Sequence, residues 1–389
     1  MSTPDAATTE TLALGTRLHE HVLDPMKRAF VGKDEVVDLM GICLVGGENL
    51  FILGPPGTAK SALVFELGRR LEGRTFEYLL TRFTEPNELF GPFDIRKLRE
   101  GELQTNTEGM LPEASLVFLD ELLNANSAIL NSLLMVLNER VFRRGRETRQ
   151  LPTLMVVGAS NHLPDDDALQ ALFDRFLVRV DCDNVPTEHL HDVLQAGWAL
   201  DRARREPAES RVTVEDVRRL HGLIGAVGLD AVRQPYVELV HRLRHAGIDI
   251  SDRRAVKLQR LIAASALLCG RLEAQVSDLW VLRYIWDRQE QREIVRAIVQ
   301  EAVDTETAST ATHPRAAGVD RPDAESLARD LDFIGEKLDT LAADAPERSY
   351  LRDRLGVLAG RVEWVTDDRP REALLERVNG LWTRFGDRS

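Results

Sequence analysis

Short apolar runs alternate with helical periodicities over the first half of the chain. Five such runs are bounded by turn residues, and their length favours buried strands: residues 49–53, 75–80, 115–119, 153–158 and 177–181. Residues 61–71 and 128–137 between them carry apolar side chains at helical spacing, and a helix at 12–30 precedes them. Strands that alternate with helices predict an α/β domain with a largely parallel sheet.

The second half of the chain is predicted to be helical. Strand signals stop after Pro186, and residues 303–325 are rich in Thr, Ala, Asp and Pro without an apolar period, which predicts a linker. Beyond it, apolar residues recur at steps of three and four in three pieces that Pro346 and Pro370 separate. A small three-helix unit and an extended coiled coil that recruits a partner both fit this pattern. The apolar stripes are Leu327, Leu331, Ile334, Leu338 and Leu341; Leu351, Leu355, Leu358, Val362 and Val365; and Leu374, Val378, Leu381 and Phe385.

These patterns predict four regions. We expect an α/β core with an N-terminal helix at 1–189, a helical lid at 190–303, a linker at 304–325 and a helical bundle at 326–389.

Composition narrows the class of protein. The chain has 389 residues, a net charge of −13 and 43% hydrophobic residues, which excludes a disordered chain. No apolar run reaches the roughly 20 residues of a membrane helix, and the polar N-terminus is not a signal peptide. The three cysteines are far apart, without the spacing of a zinc site or a disulfide framework. We therefore expect a cytoplasmic chain, and the acidic balance weighs against binding nucleic acid over the whole surface.

One segment has the residue types that phosphate binding requires. It follows a predicted strand and opens a predicted helix, so that glycine-spaced backbone amides and the helix N-terminus can surround phosphates. Lys60 would reach the β- and γ-phosphates, and the Ser61 hydroxyl would ligate Mg²⁺. An ordinary Gly/Pro turn before a helix is the simpler alternative. The segment consists of Gly54, Pro55, Pro56, Gly57, Thr58, Ala59, Lys60 and Ser61.

Further motifs follow in an order that fits the same chemistry. A predicted strand ends in Asp120 and Glu121, so that Asp120 can orient Mg²⁺ and Glu121 can polarise an attacking water. The next predicted strand leads to Asn161, whose amide would lie beside the γ-phosphate, and Arg175 follows a short helix. Taken singly, such residues are more often caps, turn residues and surface charges. Their order after the phosphate loop favours nucleotide hydrolysis.

Over residues 12–303 the sequence resembles the MoxR branch of the AAA+ ATPases. The loop GPPGTAKS, with alanine before the lysine, is typical of this branch. Four longer stretches are most similar to its RavA subgroup: LLTRFTEPNELFGPFDI (79–95), GMLPEASLVFLDEL (109–122), AILNSLLMVLNERVFRRG (128–145) and SDRRAVKLQRLIAASALLCGR (251–271).

The resemblance implies a fold and an assembly. It implies a P-loop AAA+ core with a five-stranded parallel sheet and an all-α lid, assembled as a hexameric ring that uses ATP and Mg²⁺. Lys60 and Ser61 match the Walker A motif, Asp120 and Glu121 match Walker B, and Ser61 and Asp120 would hold the metal. The segment that lies against the adenine is matched by Val31 and Gly32.

The resemblance also assigns the sensors and an arginine finger. Asn161 matches sensor 1, and Arg175 matches the finger that acts on ATP bound by the neighbouring subunit. Arg253 matches the sensor 2 arginine, with the adjacent Arg254 as the alternative. In related phosphoryl-transfer enzymes a cation delivered across an interface raises the rate ~10³–10⁵-fold.

Two inserts remain open to interpretation. Residues 90–109 match the helix-2 insert, and residues 138–151 match the hairpin before sensor 1. The hairpin carries five arginines, so a solvated hairpin and a loop that contacts an acidic client or nucleic acid both stay open. The chain departs from RavA-type proteins because no strand-rich stretch after Val185 could form their additional β-rich module.

Three functions are consistent with these sequence features. The first is an ATPase that remodels or matures protein complexes with a von Willebrand A-domain partner, which the resemblance implies. The second is a nucleic-acid motor, which the arginine-rich hairpin supports and the acidic total opposes. The third is a nucleotide-gated scaffold, which the intact Glu121 and Arg175 oppose.

Overall fold

A computed structural model gives the fold of the chain. It describes residues 6–100, 103–144, 147–164, 167–204, 212–304, 313, 315–316, 327–328, 331–332, 334–335, 337–338, 347–362 and 368–386. The chain forms two compact units, Met1–Ala317 and Gly318–Ser389. Most of the predicted linker at 304–325, together with Leu341, Pro346 and Val365, lies outside the described residues.

The first unit contains a five-stranded sheet. Its strands lie in the order β2-β3-β6-β1-β7, and every neighbouring pair is parallel. The predicted parallel sheet is confirmed. Strands β1, β3 and β6 lie inside the sheet and are almost wholly buried, whereas β2 lies at an edge and is half exposed. The strands are β1 Leu50–Leu53, β2 Thr75–Leu79, β3 Leu116–Asp120, β4 Val141–Arg144, β5 Glu147–Gln150, β6 Met155–Ser160 and β7 Val178–Asp181.

Helices surround the sheet and connect its strands. The predicted N-terminal helix contains a π-helical turn at His19–Leu23, which separates α1 from α2. Local chemistry sets several of the bounds: the Asn126 side chain, for example, caps α7 by accepting from the amides of Ala128 and Ile129, each at 3.1 Å. The helices are α1 Ala6–Leu18, α2 Asp24–Ala29, α3 Asp34–Gly46, α4 Lys60–Arg70, α5 Pro86–Phe90, α6 Ile95–Arg99, α7 Ser127–Glu139 and α8 Asp167–Phe173.

The described residues after β7 form no further strand, and most of those up to Val303 are helical. Within the predicted helical lid, residues Val276–Tyr284 form a 3₁₀ helix. Every residue from Ser277 to Tyr284 is buried, so packing on all sides determines the shape of this segment. The α-helices are α9 Leu190–Ala203, α10 Val214–Leu223, α11 Asp230–His245, α12 Asp252–Leu268 and α13 Gln291–Val303.

The helical region shares one hydrophobic core with the sheet domain. A Cβ at Gly15 of α1 would come within 2.1 Å of the Leu267 carbonyl oxygen of α12, so the two helices touch through their backbones. His313 and Ala316 are also buried, and the His313 ring stacks on Trp280 at 4.6 Å. The predicted linker is therefore packed against the rest of this unit at His313 and Ala316.

The second unit is helical, as predicted. Its described helices are Glu347–Val362 and Asp368–Gly386, and the described residues between 327 and 338 are also helical. Pro370 lies in the first turn of the last helix, where proline is tolerated, and does not separate two helices. The predicted stripes form one core of Leu327, Leu331, Ile334, Leu338, Leu351, Leu355, Leu358, Val362, Leu374, Val378 and Leu381.

Candidate nucleotide site

The phosphate loop begins at Gly54, directly after β1. The Gly54 amide donates to the Ser160 carbonyl at 3.0 Å, which attaches the loop to the end of β6. A Cβ at Gly54 would come within 2.3 Å of the Cys182 carbonyl oxygen at the end of β7. Only glycine therefore fits between the two neighbouring strands, and the start of the loop is closely determined.

The loop turns through two residues with a positive φ. Gly57 has a φ of 84° and nothing within 4 Å of a Cβ built on it, so its surface is open to a ligand. Ala59 has a φ of 67° and immediately precedes α4. An L-residue pays for this left-handed conformation, whereas glycine does not. The alanine noted in the sequence thus occupies a strained position at the point where the helix N-terminus opens.

Lys60 is buried and lies inside the loop. Its Nζ donates to the carbonyl oxygens of Gly54 and Pro55, each at 2.9 Å, and the Thr58 hydroxyl donates to the Pro55 carbonyl at 3.0 Å. The loop therefore already surrounds a cation. Ser61 is the second residue of α4 and is half-buried, so that its hydroxyl lies at the helix N-terminus.

The acidic pair lies at the end of β3. Asp120 is the last residue of that strand, and its Oδ1 accepts from the Glu121 amide at 3.0 Å. Glu121 has a φ of 49°, which turns the chain sharply after the strand. Partial burial and then the charge of Asp120 raise the pKa of Glu77 on the neighbouring β2. Negative charge is thus concentrated at this end of the sheet, where a divalent cation would be favoured.

Asn161 lies at the same edge, as do Val31 and Gly32, which are predicted to border the adenine. Asn161 is exposed directly after β6, which lies between β1 and β3. Gly32 has a φ of 70°, and a Cβ on it would come within 3.3 Å of a Val185 methyl group, just beyond β7. The Cys182 thiol in turn donates to the Thr58 carbonyl of the loop at 3.3 Å. The structure therefore brings Val31 and Gly32 close to the segment that borders the phosphate loop.

The donor chemistry at this edge fits Mg²⁺. The Ser61 hydroxyl and the Asp120 carboxylate are oxygen ligands, which Mg²⁺ prefers, and it commonly completes its shell with phosphate and water. Among the described residues, no group of three or more His, Cys, Asp or Glu side chains could hold a metal alone. The site therefore suits a metal that is held jointly with a nucleotide.

Arg175 lies at the opposite edge of the sheet. It precedes β7, and β7 runs parallel to β1 with Val178 beside Leu50. The four residues of β1 put this edge roughly 13 Å from Gly54, at ~3.3 Å per residue. The structure thus does not bring Arg175 to the phosphate loop of its own chain.

Arg175 instead shares a cavity with Arg253, which we name the arginine pocket. This cavity has a volume of about 530 Å³, and no residue of the phosphate loop or of the Asp120–Glu121 pair lines it. Arg253 is exposed, whereas Arg254 is partly buried and donates to both carboxylate oxygens of Asp287 at 3.0 Å. The charged lining residues are Asp174, Arg175, Asp249, Arg253, Arg254, Lys257, Asp287 and Arg288.

Sequence reasoning missed two residues of this region. Arg179 of β7 is completely buried, and its Nη1 donates to Asp287 at 2.6 Å. An arginine in an alternating strand is ordinarily expected on the solvent face, so no local signal marks it. Asp287 lies in a turn without a motif.

Two arginines of the arginine-rich hairpin bind groups of their own chain. Arg144 of β4 donates to the Gly91 carbonyl at 2.7 Å, and its guanidinium lies 4.0 Å from the centre of the Phe93 ring. Arg149 of β5 donates to the Thr107 hydroxyl at 2.8 Å. The hairpin is therefore attached to the insert at 90–109. Arg143 is exposed, and residues 145–146 lie outside the described part of the chain.

Comparison with known proteins decides the family. The model of the MoxR domain in the MoxR-vWA-beta-propeller ternary systems matches residues 16–222, and that of an AAA lid domain matches residues 232–299. The chain belongs to the MoxR family of AAA+ ATPases. The predicted MoxR relationship and the predicted fold are thereby confirmed.

The chain is also similar to individual proteins. The chain is 34% identical to an uncharacterised protein of Methanocaldococcus jannaschii over 271 residues, 69% of this chain and 70% of that one. It is 28% identical to chaperone MoxR1 of Mycobacterium tuberculosis over 176 residues, 44% of this chain and 46% of that one. Its fold is similar to the crystal structure of an ATPase candidate from Cytophaga hutchinsonii, with a TM-score of 0.62 and 18% identity over 78% of this chain and 98% of that one.

None of the helices in the described part of this MoxR chain is long and apolar enough to span a membrane.

Proposed function

We propose that the chain hydrolyses ATP to ADP and phosphate and uses the energy to remodel or mature protein complexes. One observation carries the proposal: parallel strands bring the phosphate loop, the Asp120–Glu121 pair and Asn161 to one edge of the sheet. Because each follows the carboxyl end of its own strand, three separate stretches of sequence converge on one place, as ligand sites do in α/β folds.

Each residue at this edge has a distinct part in the proposed reaction. Lys60 would exchange its two carbonyl partners for phosphate oxygens, since its ammonium group already lies inside the loop. Ser61 and Asp120 would hold Mg²⁺, which when bound supplies charge neutralisation on the phosphates. Glu121 would accept a proton from the attacking water, and the Asn161 amide would orient that water or the γ-phosphate.

The two arginines at the other edge imply that the active site is shared between subunits. Arg175 and Arg253 line one pocket and are remote from their own phosphate loop, so both would act on ATP bound by a neighbouring copy. A face that meets a different face of the next copy makes a heterologous contact, which closes into a ring when the rotation allows. We therefore propose a homo-oligomeric ring, hexameric as in related AAA+ proteins.

The family description supports one class of partner. The matching MoxR domain is the one described in ternary systems with a von Willebrand A-domain protein and a β-propeller. We propose a von Willebrand A-domain partner for this chain. The cytoplasmic location, the RavA relationship and the four predicted regions stay predictions.

A nucleic-acid motor is less well supported. Arg144 and Arg149, which contributed to the positive charge of the hairpin, bind groups of their own chain. Nucleic-acid binding depends on basic groups that are free to neutralise phosphates. The structure thus favours a protein client over DNA or RNA.

Phosphate release in the presence of Mg²⁺ tests the proposal. Glu121→Gln should still bind a fluorescent ATP analogue but lose at least ~100-fold in kcat, because the general base is absent. Lys60→Ala should not bind the nucleotide. Its rate of phosphate release therefore serves as the background of the assay. An inactive wild-type ring, or full turnover by Glu121→Gln, would overturn the assignment.

A further inference from the structure

A buried ion cluster joins the sheet to the helical region beside the arginine pocket. Arg179 of β7 pairs with Asp287 at 2.6 Å, and Arg254 in the first turn of α12 pairs with the same carboxylate at 3.0 Å. The side chain of Asp287 is 14% exposed and that of Arg179 is 0% exposed. One carboxylate therefore holds one arginine from the sheet and one from the helical region.

Arg179 also fixes the turn that carries Arg175. Its Nη2 donates to the Phe173 carbonyl at 3.2 Å, and its guanidinium lies 4.2 Å from the centre of the Phe173 ring. Phe173 ends α8, two residues before Arg175. A displacement of Arg179 would therefore remove both of these contacts with the turn that carries Arg175.

Arg254 fixes the helix start that carries Arg253. It donates to the Asp249 carbonyl at 2.7 Å and to the Ile285 carbonyl at 2.5 Å, which join the start of α12 to two neighbouring turns. Arg253 is the preceding residue, and its exposed side chain has no hydrogen bond or ion pair among the described residues. Arg254 thus stabilises the start of α12 through hydrogen bonds within the chain, whereas the side chain of Arg253 is available to a ligand.

Stability alone does not account for this cluster. Arg179 and Arg254 share the Asp287 carboxylate, and the half-exposed Asp174 carboxylate lies 3.9 Å from Arg179. Buried ion pairs rarely stabilise a protein more than apolar side chains of similar volume. Burial, and then the charge of Arg254, lower the pKa of Arg179 to about 10, so it stays protonated at neutral pH. Such a cluster is better suited to holding elements in a defined geometry.

We propose that Asp287 is a positioning residue for ATP hydrolysis, which through Arg179 and Arg254 sets the separation of Arg175 and Arg253. Both arginines would have to meet one triphosphate on the neighbouring subunit, so their separation determines whether they can act together. This inference rests on the proposed function, since it names the residue that aligns the second half of the shared site.

Asp287→Asn in the full-length protein tests this role against a matched control. The variant keeps the shape of the side chain and removes its charge. Asp278→Asn is the control, because Asp278 is also buried in the helical region and pairs with Arg271 at 2.8 Å, yet it does not line the arginine pocket. We expect Asp287→Asn to bind the ATP analogue within about two-fold of wild type and to lose at least ~10-fold in kcat.

The control distinguishes positioning from general loss of stability. Asp278→Asn should lower the unfolding temperature as much as Asp287→Asn does, and retain kcat below that temperature. Equal loss of kcat in both variants, or unchanged kcat in Asp287→Asn, would overturn the proposal.

Mixed rings identify which side of the shared site is affected. Asp287→Asn subunits mixed with Lys60→Ala subunits should recover activity, since some interfaces then combine an intact phosphate loop with intact arginines. A mixture of Asp287→Asn with Arg175→Ala should not recover, because both changes damage the arginine side. The reverse pattern would place the defect in the phosphate loop and refute the positioning role.

Hydrogen exchange provides a readout that does not depend on hydrolysis. Asp287→Asn should speed amide exchange in residues 172–177 and 252–256 together, and Asp278→Asn should change neither segment. If the wild-type ring were inactive but this paired change occurred, the proposed function would fail while the structural coupling stood. An active ring with no paired change would refute the coupling alone.

Discussion

The side-chain amide of Asn49 donates a hydrogen bond of 3.1 Å to the backbone carbonyl of Arg175. Asn49 directly precedes β1, and Gly54 directly follows it. The bond therefore holds Arg175 at the edge of the sheet opposite to the phosphate loop. A catalytic arginine and the loop that it serves would then have to come from two copies of the chain.

This geometry predicts how arginine variants behave in mixed rings. Arg175→Ala and Arg253→Ala should each lower kcat, because a cation that stabilises the transition state is lost. For Arg175, the proposed arginine finger, the loss should reach about 10³-fold. Each should regain activity when mixed with Lys60→Ala, and the two should not rescue each other, since they alter the same face. Arg233→Ala on the exposed side of α11 serves as the control. Mutual rescue of Arg175→Ala and Arg253→Ala would show that they serve different sites.

The strained alanine of the phosphate loop predicts a stabilising substitution. Ala59→Gly should raise the stability of the first unit by roughly 0.5–1 kcal/mol, because the relief of the left-handed conformation exceeds the added entropy of the unfolded chain. Ala62→Gly in the first turn of α4, where the backbone is helical, should lower it by up to about 1 kcal/mol. Urea unfolding of the two variants measures both effects, and a loss of stability in Ala59→Gly would contradict the strain.

The attachment of the hairpin predicts different effects for two adjacent arginines. Arg144→Ala removes hydrogen bonds to Gly91 and Asn87. The free energy of local opening in residues 87–93 should therefore fall by about 1–3 kcal/mol, and hydrogen exchange in these residues should become faster. Arg143→Ala should leave that exchange unchanged, since Arg143 is exposed and lies 3.7 Å from Glu139. Equal effects in both variants would show that the hairpin is not held by Arg144.

The buried His313 predicts a dependence of stability on pH. Burial lowers the pKa of His313 to about 3, and its Nδ1 accepts from the Arg315 amide at 3.1 Å, which requires the neutral ring. Its surroundings include Asp38, His19, Lys27 and Arg315, of which only Asp38 favours the charged form. The neutral ring thus stabilises the fold fully above the unfolded pKa of about 6.5, and this contribution is lost as pH falls toward 3.

A variant isolates this contribution from that of other groups. Between pH 7 and pH 5 the wild type should lose about 2 kcal/mol through His313 alone, and His313→Asn should lack that loss. The difference in unfolding free energy between the two proteins is therefore expected to shrink at pH 5. A constant difference across this range would indicate that His313 does not titrate as its burial predicts.

Local sequence patterns are sufficient to predict the edge of the sheet at which the proposed nucleotide site lies. The apolar runs predicted all five strands of the sheet to within two residues, and the motifs at their ends predicted where Lys60, Asp120 and Asn161 lie. These predictions succeed because each depends on a local pattern. Strand and loop are neighbours in sequence, and parallel strands necessarily place their carboxyl ends at one edge.

The surroundings of the arginines, in contrast, depend on contacts between residues that are far apart in sequence. Local sequence does not predict the surroundings of Arg175, Arg179, Arg253 and Arg254. Arg179 is completely buried, Arg179 and Arg254 both pair with Asp287, and the other two line a shared pocket together with Arg254. Likewise, His313 and Arg315 lie in a stretch with the composition of a linker, but His313 stacks on Trp280 and Arg315 pairs with Asp38 at 2.7 Å. The period of apolar residues predicts which face of a segment is buried. It does not predict which residue, distant in sequence, that face contacts. The role of a charged side chain depends on that partner, because its charge must be paired or solvated.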